Sequence, residues 1–200
     1  MQEPRTRDAL AHPERVFVLS GPSAVGKNTL AHELCRRGLA VRAVTATTRP
    51  PRAGEVDGTD YYFLDREEFR RWIGEGRLVE HTEYVGNYYG TPIASVNRAA
   101  EAGLPVLLVI EVDGATQVKE RWPAVTRIFV MPPSDEELRR RFAERGADGA
   151  AGVERRLQRA LEECRCAGQY DFQVVNDRVE TAVERLAEIM TGRVRPAEDS

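Results

Sequence analysis

The amino-acid sequence predicts an α/β fold of three layers, in which a mostly parallel central sheet lies between helices. Short apolar runs, typical of strands buried on both faces, alternate with segments of helical periodicity through most of the 200 residues. The most apolar run is residues 106–110, Val-Leu-Leu-Val-Ile, which is the best candidate for a central strand. A glycine-containing loop joins the first run to the first helix. The chain is therefore expected to form one domain around a parallel sheet.

The composition fits a globular enzyme and excludes several other classes of protein. Hydrophobic residues make up 42% of the chain and charged residues 30%, and the formal net charge is −3. That balance gives no reason to expect nucleic-acid or membrane binding. No apolar run approaches the length of a membrane span, and residues 1–14 lack the apolar centre of a signal peptide. The three cysteines suit a reducing compartment, so a cytoplasmic location is expected.

The central sheet is expected to draw on five segments of the chain. In order, they are residues 16–20, 39–44, 106–110, 127–131 and 172–175. Helices are predicted over residues 30–37, 134–145 and 180–191. Gly38 stops the first helix, and Ser134 with Glu137 forms a capping box that opens the second.

Two stretches interrupt the alternation of strands and helices. Residues 45–92 open with a loop rich in proline and glycine. They continue with strands at 61–64, 78–84 and 88–90 and with a helix that Asp65 and Glu68 cap. Residues 146–152, rich in glycine and alanine, join two arginine-rich helices, as the hinge of a mobile lid does. The predicted domain is residues 15–191, with tails at 1–14 and 192–200. Within it, the insertion is 45–92, the lid is 139–167, and the core consists of 15–44, 93–138 and 168–191.

The rest of the chain is organised around residues 21–29, Gly-Pro-Ser-Ala-Val-Gly-Lys-Asn-Thr. They lie between a predicted strand and a predicted helix, the context in which G-x-x-x-x-G-K is a phosphate-binding loop. Backbone N–H groups and the positive end of the helix bind phosphate oxygens there, and Lys27 reaches the outer phosphates of a nucleoside triphosphate. Only two of the 29 basic residues are lysines, Lys27 and Lys119, which indicates that this position requires a compact ammonium group.

Arg49 and Arg52 form a second candidate phosphate site. The two prolines between them fix φ and favour an extended backbone, so both guanidinium groups are positioned before a ligand arrives. Arginine binds phosphate with forked donors, and the hydroxyl groups of Tyr61 and Tyr89 add two further donors. A solvated basic surface loop would have the same composition, so this segment alone does not decide between the two interpretations.

Four motifs favour the phosphate site, because in this order and spacing they resemble those of the guanylate kinase family. They are G-P-S-x-x-G-K at 21–27, T-T-R-x-P-R-x-G-E-x-x-G-x-D-Y at 47–61, G-N-Y-Y-G-T at 86–91 and V-N-D at 175–177. The resemblance covers residues 15–190. It implies a P-loop NTPase fold whose insertion binds GMP and whose lid closes over ATP. It also implies transfer of the γ-phosphate of ATP, with Mg²⁺, to GMP, giving ADP and GDP, by a monomer or homodimer.

The resemblance further implies roles for individual residues. ATP is expected to contact Gly21, Ser23, Ala24, Val25, Gly26, Lys27, Asn28, Thr29 and, beside the adenine, Asn176. GMP is expected to contact Arg49, Arg52, Tyr61 and Tyr89 through its phosphate, Thr45, Glu80 and Thr91 through its guanine, and also Glu111. The expected catalytic groups are Lys27 and three lid arginines, Arg141, Arg145 and Arg156. Other arginines nearby, at 139, 140, 155 and 159, are expected to be solvated.

Two departures from the family pattern affect the magnesium side of the site. Asn28 stands where the pattern has the Ser or Thr that coordinates Mg²⁺, and its amide oxygen can coordinate the metal only with a different reach. Val109-Ile110-Glu111 replaces Asp-x-Asp, which removes one acid and lengthens the other. Catalytic rate and metal use are the properties that these changes affect.

Three alternative functions are compatible with part of the guanylate kinase pattern. One is a kinase of the same fold whose acceptor is a modified guanine nucleotide. A second is a ribose-phosphate kinase, although such relatives lack the paired arginines and tyrosines of the GMP site. A third is a catalytically weak guanylate-kinase-like module that binds proteins, although such modules tend to lose the loop lysine. The presence of Lys27, Arg49, Arg52, Tyr61 and Tyr89 favours the GMP kinase.

Overall fold

A computed structural model describes residues 9–84, 86–144 and 150–194. The strands are β1 (Val16–Ser20), β2 (Val41–Arg42), β3 (Thr45–Thr47), β4 (Tyr61–Phe63), β5 (Leu78–Tyr84), β6 (Asn87–Pro92), β7 (Val106–Val109), β8 (Thr126–Met131) and β9 (Phe172–Val175). The helices are α1 (Lys27–Arg36), α2 (Arg66–Gly74), α3 (Ile93–Ala100), α4 (Val112–Arg121), α5 (Asp135–Glu144), α6 (Ala150–Cys164) and α7 (Val179–Met190). Within these residues, no helix is both long and apolar enough to cross a membrane.

Five parallel strands form the main sheet, in the order β2-β7-β1-β8-β9. The most apolar run forms β7, which pairs with β1 on one side and β2 on the other and is therefore an interior strand, as the sequence predicts. The central strand is β1, whose five residues are all buried, with β7 on one side and β8 on the other. The carboxyl ends of all five strands meet at one edge of the sheet, where ligands bind in open α/β folds.

A second, mixed sheet has the strand order β4-β3-β6-β5. Strand β3 pairs in parallel with β4 and antiparallel with β6, which pairs antiparallel with β5. The single strand predicted at 39–44 is wrong, because the chain forms only β2 there and then crosses into the second sheet as β3. The crossing occurs at Val44, whose N–H donates to Oγ of Ser95 at 2.8 Å rather than to a strand.

Apolar side chains pack against both faces of the main sheet. Because neighbouring residues of a strand point to opposite faces, Val16 and Val18 of β1 pack with helices α3 and α4. On the other face, Phe17 and Leu19 pack with α1 and α7. The three-layer α/β arrangement that the sequence predicts is therefore confirmed.

The helix ends follow the predicted caps with one difference. Asp65 precedes α2, and its Oδ1 accepts a hydrogen bond from the N–H of Glu68 at 2.7 Å. Ser134 precedes α5, and its Oγ accepts from the N–H of Glu137 at 3.2 Å. The carboxylate of Glu137 does not complete the box, because it accepts from Nε of Arg141 at 2.8 Å. Helix α6 begins inside the loop predicted at 146–152, and residues 146–149 of that loop lie outside the described part.

The N-terminal segment from residue 9 is packed, which corrects the loose tail predicted through residue 14. Leu10 is buried in the cluster that covers one face of the main sheet. Asn97 of α3 fixes the segment, since its Oδ1 accepts from the N–H of Ala11 at 2.9 Å and its Nδ2 donates to the carbonyl of Ala9 at 3.0 Å. The remaining parts of the predicted tails, residues 1–8 and 195–200, lie outside the described residues.

Phe129 provides a test of the core. It is fully buried on β8, and its ring meets the ring of Tyr170 edge-on with 4.9 Å between centroids. Phe129→Ala should lower the free energy of unfolding by about 3–5 kcal/mol, because it removes apolar contacts and leaves a cavity. Val175→Ala, at a half-exposed position of β9, is the control and should change that free energy by less than about 0.5 kcal/mol. Urea denaturation followed by circular dichroism measures both, and equal effects would contradict this packing.

Candidate active site

A cleft of about 300 Å³ lies where the loop after β1, the second sheet and helix α6 meet. The loop, residues 21–29, is called the phosphate loop below. The cleft is lined by Ser23, Arg42, Thr45, Tyr61, Glu80, Thr82, Tyr84, Tyr89, Val109, Ile110, Glu111, Arg156, Arg159, Ala160 and Glu163. Residues predicted for ATP, for GMP and for the lid therefore face one space.

Each strand of the second sheet contributes a side chain to the cleft. Thr45 comes from β3, Tyr61 from β4, Glu80 from β5 and Tyr89 from β6. All four are among the residues predicted to contact GMP. They are far apart in the chain, and pairing of the strands brings them together.

Glu80 is the buried carboxylate of the cleft, with only 4% of the residue exposed. Its Oε1 accepts a hydrogen bond from Oγ1 of Thr91 at 2.7 Å. Its Oε2 lies against the backbone of α4 at Gly114, where a Cβ atom would approach it to 2.9 Å. Burial raises the pKa of Glu80 to about 7, because the charged form loses most of its solvation. Without a ligand, this carboxyl group is therefore partly protonated near neutral pH.

Arg49 is held in place by Glu55, a residue to which the sequence reasoning gave no role. Nη2 of Arg49 donates to Oε1 of Glu55 at 2.8 Å, and the N–H of Arg52 donates to Oε2 at 2.7 Å. The guanidinium of Arg49 also lies 5.4 Å from the ring centre of Tyr61. The hydrogen bond from Arg49 lowers the pKa of Glu55. Glu55 therefore connects the two arginines of the proline loop, of which Arg52 is the exposed one.

Two glycines shape the phosphate loop. Gly21 has φ of +140° and Gly26 has φ of +100°, both in the region that L side chains rarely adopt. A Cβ atom at Gly21 would overlap the backbone carbonyl of Val130 on β8, and one at Gly26 would overlap the side chain of Asn176. Glycine is therefore required at both positions by backbone conformation and by space.

Lys27 is the first residue of α1 and is only 9% exposed. Its ammonium group donates to the carbonyls of Gly21 and Pro22 in the phosphate loop. It also lies 3.5 Å from Oε1 of Glu111, which follows β7 and is half exposed. The lysine thus turns back over the loop, beside one residue predicted for GMP.

Asn176 and Arg141 both donate hydrogen bonds to the backbone of the phosphate loop. The buried Asn176 donates from Nδ2 to the carbonyl of Val25 at 2.8 Å. Arg141 donates from Nη1 to the same carbonyl at 3.2 Å and from Nη2 to the carbonyl of Asn176 at 3.0 Å. The structure therefore places this predicted catalytic arginine against the loop backbone, whereas Arg156 lines the cleft. Arg145 lies outside the described residues.

Helix α6 carries cleft residues that the sequence reasoning missed. Arg159 and Glu163 lie three and seven positions after Arg156, and all three line the cleft. This spacing puts side chains on one face of a helix, so the helical periodicity was the available signal. The side chain of Arg159 is 67% exposed, which agrees with the prediction that it is solvated, but the residue also lines the cleft. Ala160 is a further lining residue of α6, and Ile110 follows β7. The remaining unpredicted lining residues come from strands, and no local pattern marks them.

Comparison with known proteins identifies the family. A family model described as guanylate kinase matches residues 13–193. The guanylate kinases of Synechocystis sp. and Gloeobacter violaceus are 48% and 50% identical to this chain, over 88% and 90% of it and 93% and 88% of their own length. The chain belongs to the guanylate kinase family.

A crystal structure of guanylate kinase from Anaplasma phagocytophilum shows the same fold. It aligns with a TM-score of 0.68 and 38% identity, over 89% of this chain and 85% of that one. The resemblance that the four motifs indicate is therefore confirmed. The family match runs from before β1 to the end of α7, so both sheets and the cleft between them belong to the guanylate kinase fold.

The raised pKa of Glu80 predicts a pH-dependent stability in the absence of nucleotide. The unfolded chain releases this proton near pH 4.5, but the folded protein releases it only near pH 7. Between these values the folded state holds more protons, so the free energy of unfolding should fall as pH rises. Relative to Glu80→Gln, the loss between pH 5 and pH 8 should be about 2–3 kcal/mol.

Urea denaturation at both pH values measures this difference. Glu83→Gln is the matched control, because Glu83 lies on the same strand with its side chain 49% exposed. That variant should keep the pH dependence of the unmodified protein. If Glu80→Gln also keeps it, the folded protein does not hold Glu80 in its protonated form.

Proposed function

We propose that this protein transfers the γ-phosphoryl group of ATP to GMP, giving ADP and GDP. The observation that carries the proposal is the buried carboxylate of Glu80, which lines the same cleft as Ser23 of the phosphate loop. A base-recognition group and a triphosphate-binding loop thereby share one space. Membership of the guanylate kinase family supports the same reaction.

Glu80 supplies the selectivity for guanine. Its carboxylate accepts hydrogen bonds from guanine N1–H and from the 2-amino group, which offset the solvation lost on burial. Adenine has an acceptor at N1 and no 2-amino group, so it would leave the carboxylate unpaired. Thr91 orients Glu80 through the 2.7 Å hydrogen bond, and Thr45 lies on the same wall of the cleft.

The acceptor phosphate binds between the proline loop and the two tyrosines. Arg49 enters this role already oriented by Glu55 and Tyr61. Arg52 is exposed and adds a second guanidinium, and Tyr89 lines the cleft in contact with Arg49. Pre-oriented charged donors bind phosphate with less loss of conformational entropy than mobile ones.

The donor phosphates bind to the phosphate loop and the start of α1. Lys27 exchanges the carbonyls of Gly21 and Pro22 for phosphate oxygens, which are charged and therefore stronger acceptors. An oxygen of the GMP phosphate attacks the γ-phosphorus in line, and the bond to the β-γ bridging oxygen breaks to release ADP. Lys27 and Arg156 stabilise the negative charge on the transferred group.

Magnesium fits this site as an ion held mainly by ATP. No group of three acidic, histidine or cysteine side chains in the described ranges forms a metal cage. Asn28 and Thr29 present exposed side-chain oxygens at the start of α1, and Glu111 presents a half-exposed carboxylate. One or two protein oxygens with phosphates and water are the usual coordination of Mg²⁺. When bound, the ion would supply charge neutralisation to the triphosphate.

We place the reaction in a reducing compartment, the cytoplasm. Cys35, Cys164 and Cys166 are all free thiols. Burial raises the pKa of Cys35 and of Cys164, which lowers their reactivity toward oxidants. The fold is therefore expected to need no disulfide.

The acceptor preference tests the proposal directly. GMP should be phosphorylated with a kcat/KM at least about 100-fold above that of AMP, because a buried unpaired carboxylate strongly disfavours adenine. Glu80→Gln should erode the preference, since its amide can turn a donor toward adenine N1. A coupled assay of ADP formation with GMP, dGMP, AMP or no acceptor measures this. Equal turnover of GMP and AMP by the unmodified protein would exclude the role of Glu80, and ATP hydrolysis without transfer would exclude the kinase.

With Asn28 in place of Ser or Thr, the protein is expected to contribute little to the binding of Mg²⁺. Asn28→Ser should lower the magnesium concentration for half-maximal rate by about fivefold, as expected for one favourable contact of about 1 kcal/mol. The magnesium dependence of ATP binding, measured by calorimetry without GMP, should shift in the same direction. Asn28→Ala is the control and should not produce this shift.

Val109 tests whether the two departures act together. Val109 lines the cleft at the end of β7 and replaces an acid of the family pattern. If Asn28→Ser helps only when combined with Val109→Asp, the two positions are coupled, and the single-residue explanation is wrong. A magnesium titration of both single variants and the pair separates these outcomes.

A further inference from the structure

One face of helix α6 forms a wall of the cleft. Arg156, Arg159, Ala160 and Glu163 all line it, at intervals of three and four residues. Glu80 and Ser23 of the phosphate loop line the same cleft. Arg159 is therefore adjacent, along the helix, to a lid arginine already expected to contact phosphate.

Arg159 and Glu163 form an ion pair at the cleft. Nε of Arg159 donates to Oε1 of Glu163 at 3.1 Å. The side chain of Arg159 is 67% exposed, but that of Glu163 is only 18% exposed. Through the described chain, the two Nη groups of Arg159 make no hydrogen bond. The arginine is thus anchored at one nitrogen and keeps its forked end for another acceptor.

The surroundings of Glu163 distinguish this pair from an ordinary surface ion pair. Pairs between exposed side chains on a helix contribute little to stability, about 0.3–0.5 kcal/mol. Glu163 is instead largely covered, and its pKa is raised by burial and by the charge of Glu111, which outweigh Arg159 and Lys27. A covered carboxylate that lies near another acid requires a cation, and Arg159 is the one in direct contact.

We propose that Arg159 is a further catalytic arginine of this protein and that Glu163 positions it. The inference rests on the proposed phosphoryl transfer. When both nucleotides are bound, the Nη groups of Arg159 contact oxygens of the transferred phosphoryl group beside Arg156. Nε continues to donate its hydrogen bond to Glu163, so the guanidinium contacts the phosphate in a single orientation.

The departures at the metal side explain why an additional cation is useful here. Val109 removes one acid from the region that would orient the metal, and Asn28 replaces a hydroxyl ligand. With less metal held by the protein, more of the charge on the transferred group must be neutralised by side chains. Arg159 adds a charge that stays with the protein at any magnesium concentration.

Arg159→Ala tests the catalytic role, with Arg155→Ala as the matched control. Arg155 is an exposed arginine of the same helix and does not line the cleft. Arg159→Ala should lower kcat by about ten- to a hundredfold, as expected for the loss of a charge-assisted hydrogen bond, while KM for GMP changes less than threefold. Arg155→Ala should keep the kcat of the unmodified protein. Thermal denaturation of both variants verifies that they fold.

Equal kcat values for the two alanine variants would overturn the proposal and leave Arg159 as a surface residue. A rise in KM for GMP at unchanged kcat would also overturn it, because Arg159 would then bind only the ground state. If the unmodified protein transfers no phosphate to GMP, the proposed function fails first. The inference about Arg159 alone fails when the unmodified enzyme is active and Arg159→Ala matches it.

A double-mutant cycle tests the positioning role of Glu163. Glu163→Gln keeps the size of the side chain and removes its charge. It should lower kcat severalfold in the unmodified protein but by less than twofold in the Arg159→Ala background. A purely structural role would lower kcat equally in both backgrounds. An increase in kcat would show that Glu163 competes with phosphate for Arg159, and either result would overturn the positioning role.

Discussion

The close approach of the phosphate loop to its neighbours is the constraint on which the site depends. β1 lies between two parallel strands, so the chain must turn sharply as it leaves the sheet. Gly21 lies against the carbonyl of Val130, and Gly26 lies against Asn176, with no room at either point for a Cβ atom. This packing sets where α1 begins and therefore where Lys27 lies. These close contacts, one with backbone and one with a side chain, therefore set the conformation of the phosphate loop.

The cations of the site share a physical arrangement. Lys27 is held by loop carbonyls, Arg49 by Glu55 and Arg159 by Glu163. Each guanidinium or ammonium group therefore has a protein acceptor in the absence of a ligand, which limits repulsion among the cations and restricts their motion. Phosphate must compete with these acceptors. We expect phosphate to displace the neutral carbonyls that Lys27 contacts more readily than the carboxylates that hold Arg49 and Arg159.

The sequence predicts the local parts of this structure well and the long-range parts poorly. β1, β9 and the phosphate loop depend on neighbouring residues, and their bounds or motifs agree with the structure. Residues 39–44 fail as a single strand, because the exit from the main sheet is decided by Ser95, which lies about fifty residues away in the chain. The order of the strands in the main sheet likewise depends on which strands pair, and the apolar content of each strand does not predict this order.

In the site, too, the sequence predicts local features better than contacts between distant residues. Motifs identify groups such as Arg49 that recur at fixed positions in a family, and the structure brings many of them to one cleft. They gave no role to Glu55, although it lies within a quoted motif, because its contribution is a contact with Arg49 and Arg52 rather than with a substrate. Arg159 lies on an arginine-rich helix, whose composition favours solvated side chains. Only the face of the helix on which it lies distinguishes it from Arg155, which does not line the cleft.

Ala24 connects the phosphate loop to the segment predicted as a lid. Its φ is +65°, and left-handed backbone costs an alanine about 1–2 kcal/mol. Its methyl group is buried among Leu138 and Phe142 of α5 and Leu157 of α6. Burial of one such group contributes about 0.8 kcal/mol, which offsets only part of that cost. Other contacts between the loop and the helices supply the remainder, such as the hydrogen bond from Arg141 to the carbonyl of Val25. Movement of α5 and α6 away from the loop would therefore remove the contacts that stabilise its conformation, so the shape of the phosphate loop and the position of these helices are energetically coupled.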